Sequence, residues 1–248
     1  MRWVVRIIGA LVLLAGLVLG GLWWRLDALA QRMIERGATE RLGVETEIHS
    51  LLLRPLSGIL SLREHRIANP PGYDGPFLLV DRARGEVDVK TLRNEVIEVR
   101  EIELSGVELN LEEKTDGSNY DAIVRRLGAR AKPVAAEEPG PSVRVDNLFV
   151  RDVTAHVRLG PAPALTLEIP EIHLRDLGGP GGADTGEITA EVVRAILTAV
   201  ATQAPGMPFS LAARILTGLG LGSAVDALKA AGERSLDALK GLLHEAAP

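Results

Sequence analysis

From Val44 to about Leu177 the chain alternates apolar and polar residues with a period of two. The alternation is clean in Glu86-Val87-Asp88-Val89-Lys90 and in Val107-Glu108-Leu109-Asn110-Leu111-Glu112. In a β-strand successive side chains point to opposite faces, so this pattern predicts antiparallel strands with one dry face and one charged face. A longer motif recurs inside it. Ile97-x-Val99-x-x-Ile102-x-Leu104-x-x-Val107-x-Leu109-x-Leu111 superposes on Val143-x-Val145-x-x-Leu148-x-Val150-x-x-Val153-x-Ala155-x-Val157, every slot displaced by 46 residues. Shorter copies are Leu60-x-Leu62-x-x-His65-x-Ile67 and Leu167-x-Ile169-x-x-Ile172-x-Leu174-x-x-Leu177.

The two-residue gap in each copy shifts the alternation by one place. Left uncorrected, it would turn half of the apolar side chains onto the wet face. A β-bulge absorbs the extra residue, restores the facing and bends the strand, so the repeat predicts a curved sheet of roughly nine strands. The second gap (Ser105-Gly106, Arg151-Asp152, Arg175-Asp176) is open to two readings, another bulge or a tight turn.

Asn69-Pro70-Pro71-Gly72-Tyr73-Asp74-Gly75-Pro76 is a turn cluster, since proline cannot donate to a ladder. Asp116-Gly117-Ser118-Asn119 ends a strand and can cap a short helix through Ala122, Ile123 and Leu127. Residues 129–142 are an Ala/Pro/Glu linker without periodicity. After Gly178-Gly179-Pro180-Gly181-Gly182 the period becomes helical. One stripe is Ile188, Val192, Val193, Ile196, Leu197 and Val200, stopped by Pro205; a second is Leu211, Ile215, Leu216 and Leu219; a third is Val225, Leu228, Leu236, Leu239 and Leu243. Such helices cover a sheet's apolar face, touch a membrane surface or dock a partner.

The front of the chain carries the most specific local signal. Ile7 to Trp24 is uncharged over 18 residues, roughly 27 Å of helix, close to the hydrocarbon thickness of a bilayer. Arg2 and Arg6 precede it and Trp23 and Trp24 close it, which predicts a single span with the N-terminus in the cytoplasm. The competing reading is a cleaved secretion signal, with Ala28-Leu29-Ala30 as a small-x-small site. The expected organisation is an anchor over residues 1–30, a β-rich periplasmic body over 31–182 and a helical tail over 183–248. The fold class is therefore α+β: a transmembrane helix, a curved antiparallel sheet of bulged strands, and a helical tail.

Composition narrows the function more than it specifies it. Of 248 residues 46% are hydrophobic, enough for a packed core, and the formal charge of −5 argues against a nucleic-acid partner. The chain has no cysteine, which removes disulfides, thiolate chemistry and Cys-ligated metals. The five histidines, His49, His65, His156, His173 and His244, form no HExxH and no i,i+4 pair. His65 fills an apolar slot of the strand pattern and reads as a hydrogen-bonded sheet residue. No G-x-S-x-G occurs, and the Gly178–Gly182 cluster lacks the G-K-[ST] of a phosphate loop. Neither an enzyme, a metal nor a cofactor is expected.

The apolar front, Asn69-Pro70-x-Gly72-Tyr73, the strand Leu78 to Lys90, and Gly117-x-Asn119 within D-G-S-N-Y-D-A-I stand in matching order to the N-terminal region of the AsmA family of bacterial envelope proteins, which the stretch from Gly43 to Leu127 resembles. The tail after Pro170 is similar to a small AsmA-like group. That resemblance implies inner-membrane attachment as a single-pass protein, a periplasmic body, and a part in lipid handling or outer-membrane maintenance. Larger relatives present an apolar trough to lipid acyl chains. Here the trough would be lined by Val87, Val89, Ile102, Leu104, Val107, Leu109, Val143, Val145, Leu148, Val150 and Val153. The expected partners are the membrane, phospholipid acyl chains and an envelope protein. The alternative is a structural or interaction module whose sheet is closed by its own C-terminal helices.

Overall fold

The computed structural model describes residues 27–54, 56–128, 142–169 and 171–245, the last of these without side chains beyond 234. A helix over 27–42 (α1) leads into β1 (Thr46–Arg54), β2 (Ile59–Ala68), β3 (Pro76–Val87), β4 (Val96–Lys114) and the short β5 (Gly117–Ser118). Helix α2 (Asn119–Gly128) precedes β6 (Ser142–Leu159), β7 (Leu165–Ile169) and β8 (Ile172–Leu177). Three helices follow: α3 (Thr185–Gln203), α4 (Phe209–Gly218) and α5 (Gly222–Glu245). The eight strands form one sheet in the order β1-β2-β3-β4-β6-β7, with β5 on β4 and β8 on β6.

Two expectations are corrected. The sheet is mixed, not antiparallel, because β4 and β6 pair in parallel. Their register is the sequence repeat itself: Ile97 lies beside Val143, Ile102 beside Leu148 and Leu109 beside Ala155. Period-two alternation carries no strand direction; the helix between the copies does, because parallel neighbours need a crossover and α2 lies within it. The second correction concerns the membrane. Among the described residues no helix is long and apolar enough to cross one. The first helix described, α1, carries Asp27, Arg32, Glu35, Arg36, Glu40 and Arg41. The run Ile7–Trp24 lies outside the described residues. With it go the single span, the membrane as a partner, the transmembrane description, and the single-pass inner-membrane and periplasmic placement. Residues 129–141 of the linker also lie outside the described residues.

The gaps of the repeat become two creases across the sheet. At the first, the ladders pass over His49 and Glu64 between β1 and β2, Glu64 and Asp81 between β2 and β3, Asp81 and Gly106 between β3 and β4, and Gly106 and Asp152 between β4 and β6. Glu64, Gly106 and Asp152 have positive φ there (48°, 64° and 54°). β7 and β8 keep a single register on β6 and break between Ile169 and Ile172, on the same line. The second crease passes over Arg100 and Asp146, then Asp146 and Asp176, the last at φ 55°. It reaches β3 as a register shift between Glu86 and Val87. Both gaps are thus kinks within continuous strands, and neighbouring strands kink together, so pairing survives while every apolar slot stays on one face.

Helices cover that face. Tyr120, Ile123, Val124 and Leu127 of α2, Ile196, Leu197 and Val200 of α3, and Leu211, Ile215 and Leu216 of α4 are buried in one core with the sheet. Gly128 and Gly218 let α2 and α4 touch: a Cβ on Gly128 would lie 2.1 Å from Gly218 O. Helix α5 packs through Ala224, Val225 and Leu228, and from Lys229 to Arg234 it is exposed throughout. Leu236, Leu239 and Leu243 lie beyond the described side chains.

Helix α1 does a different job at the sheet's edge. Asp27, Gln31, Glu35 and Thr39, one per turn, reach the outward-facing backbone of β1. Leu53 N donates to Asp27 Oδ1 (2.9 Å), Ile48 N to Glu35 Oε1 (2.8 Å) and Thr46 N to Thr39 Oγ1 (3.1 Å), while Gln31 Nε2 donates to Ile48 O (2.7 Å). An open strand edge is a template for aggregation, and this polar stripe occupies it. Beneath it Ile48, Leu51 and Leu62 form a small satellite core with Ala30 and Ile34.

Candidate functional site

The first crease divides the sheet's inner face into two halves. Above it, toward α2 and α4, the cross-strand row Ile67, Leu78, Leu109, Ala155 and Leu167 is buried from end to end. Below it, the row Leu53, Leu60, Gly85, Ile102, Leu148 and Leu174 is only partly covered, with Gly85 and Leu148 alone fully buried. Leu53, Leu60, Ala83, Val87, Ile102 and Leu104 therefore make a half-buried apolar strip across β1 to β4, about 14 Å at the usual strand spacing.

The strip opens at one end of the sheet. Here the β1–β2 turn is locked onto β3, with Val87 N donating to Gly58 O at 2.6 Å. Gly58 sits at φ 68°, and a Cβ there would lie 2.1 Å from Val87 O, so the contact depends on glycine. Three apolar side chains project beside it: Leu56 is 86% exposed, Val89 40% and Leu92 37%.

Of the eleven residues expected to line a trough, six are sealed in the core: Val107, Leu109, Val145, Leu148, Val150 and Val153. Val87, Ile102, Leu104 and Val143 are half-buried, and Val89 stands at the mouth. Facing was legible from the repeat; covering was not, because it depends on where α3 and α4 come to rest. Leu53, Leu60, Ala83, Leu56 and Leu92 join these residues, and of them only Leu60 was marked in the sequence, as a slot of the repeat. The i,i+4 spacing of Asp27, Gln31, Glu35 and Thr39 was the available signal for the edge cover.

Polar groups near the strip serve structure. His65 is corrected from its expected role: its Nε2 is buried with no hydrogen-bond partner. Burial pulls its pKa down to about 4, against the opposing pull of Glu35. On the outer face Arg151 pairs with Glu103 and Glu171, and Arg100 with Asp88 at 3.0 Å. The Lys90 backbone N–H, and then Arg100, hold the Asp88 carboxyl below its usual range. Such exposed pairs contribute little to stability. Among the described residues no group of three or more His, Asp and Glu side chains is placed to hold a metal ion.

The two short motifs of the sequence meet each other. Asn119, fully buried, accepts from Glu112 N (2.8 Å) and donates through Nδ2 to Asn69 Oδ1 (2.8 Å) and Asn110 O (2.7 Å). The Asn-Pro-Pro-Gly-Tyr turn, β4 and α2 are thereby pinned at one buried amide, whose partners are all satisfied. Comparison with protein-family models, curated proteins and solved structures finds no match to this chain.

Proposed function

We propose that the chain is a non-enzymatic lipid-handling protein whose lower apolar strip takes up part of an acyl chain. The observation that carries this reading is the partial exposure of Leu60, Ala83, Val87, Ile102 and Leu104 on a face whose upper row is buried, running out to Leu56, Val89 and Leu92. Each Å² of such surface covered by a hydrocarbon chain contributes on the order of 25 cal/mol. The strip offers shape without converging polar groups, so selectivity among acyl chains is slight. Its span suits a segment of one chain and not a conduit between membranes. The resemblance to the AsmA family points the same way.

A second reading, a structural or interaction module closed by its own helices, is favoured by the six sealed residues, Val107, Leu109 and Val153 above the first crease and Val145, Leu148 and Val150 below it. Organic extraction of the purified full chain followed by lipid mass spectrometry separates the two. Near-stoichiometric acyl lipid, depleted by Ala83→Phe with the thermal midpoint retained, supports lipid handling. A lipid-free and fully stable protein supports the module.

A further inference from the structure

The opposite, polar face of the sheet carries a site of another kind. The parallel register of β4 and β6 sets Asn110 beside His156 and Glu112 beside Arg158. These four residues line an open cavity of about 190 Å³ together with Asn69 and Asp74 of the β2–β3 turn. Its lining is preorganised. Asn69 Nδ2 donates to Asp74 O (3.0 Å) and Gly75 O (3.2 Å), Asn69 Oδ1 accepts from the buried Asn119, and Asn110 Nδ2 donates to Pro76 O (3.0 Å). A rigid lining spares a ligand the cost of ordering it.

The charges of the cavity decide what fits. Arg158 and, from beside the cavity, Lys114 lie 3.5 and 3.6 Å from Glu112 and offset it. His156 Nδ1 lies 3.4 Å from Thr166 Oγ1, which leaves its Nε2 for a ligand. Asp74 has no ion-pair partner among the described residues. An anion entering here would meet Glu112 and Asp74, and a cation would meet Arg158. A neutral molecule with several hydroxyls instead finds acceptors in Asp74 and Glu112, and donors in Arg158, along the lining of one cavity.

We propose that this cavity binds a neutral polyhydroxylated unit, a single saccharide residue, held between Asp74 on the turn and His156 and Arg158 on β6. The site is independent of the apolar strip, which lies on the other face.

The test is amide NMR of the full chain titrated with glucose and with N-acetylglucosamine, using inorganic phosphate and tetramethylammonium as charged probes. Saturable shifts confined to Asp74, Asn110, Glu112 and His156 with either sugar, weakened about tenfold in Asp74→Ala, are the expected result. The Asp74 carboxylate makes no hydrogen bond or ion pair within the described residues, so this variant keeps its fold; His156→Ala provides a second check on the facing strand. Absence of saturable shifts with both sugars, an equal response to either charged probe, or an unchanged titration in both variants overturns the proposal.

Discussion

The two halves of the inner face are built from the same strands and the same repeat, yet one is core and the other is half surface. Above the first crease Leu109 is fully buried between Leu78 and Ala155; below it Leu104 faces inward between Ala83 and Val150 and stays half-exposed. The strand pattern fixes only which side of the sheet a residue takes. Whether that side is dry is decided by helices far along the chain. Removing side chains at matched positions tests this contrast most directly. Leu109→Ala is expected to cost about 3 kcal/mol in chemical denaturation, since it empties a volume that the helices cannot refill. Leu104→Ala should cost less than half as much, because solvent already reaches that site. Equal losses would mean that the lower half is sealed in solution.

The next effect belongs to His65, on the line where α1 and the upper core meet. Its folded pKa, about 4, lies below the 6.5 of an unfolded histidine. Between those values the unfolded chain binds the extra proton, so stability rises with pH across this window and is lost as pH falls from 6.5 toward 4. The contribution is about 3 kcal/mol. Denaturation midpoints of the parent and of His65→Met, compared from pH 7 to 4, should separate as pH falls, because only the parent loses stability to protonation of the unfolded ring. Parallel curves would show that the ring is solvated.

What the sequence disclosed follows the range of each interaction. The creases were legible, because a bulge is a local event that leaves its gap in every copy. The stripes Ile188 to Val200 and Leu211 to Leu219 were legible for the same reason, and all of these residues are buried. The direction of β6 was readable only through the crossover containing α2. The sealing of Val107, Val145 and Val153 was not readable, because it depends on where helices distant in the chain settle on the sheet. Nor was the cavity beside His156, whose lining exists only because two strands lie in parallel register.

The smallest effects probe the crease that separates the halves. Gly106 and Asp152 sit side by side in the β4–β6 ladder with left-handed backbones, at φ 64° and 54°. Gly106→Ala would bring a Cβ to 2.9 Å from Asp81 Cβ while straining the backbone, an expected loss of about 1–2 kcal/mol. Asp152→Gly has the opposite sign. It relieves an L-residue from αL at a position with no ion pair among the described residues, and part of that gain is returned as the greater backbone entropy of glycine when unfolded. A net stabilisation of about 0.5 kcal/mol is expected in urea denaturation. Stabilisation by both substitutions, or by neither, would mean that the strands cross this line without kinking together, and the division of the face would need another cause.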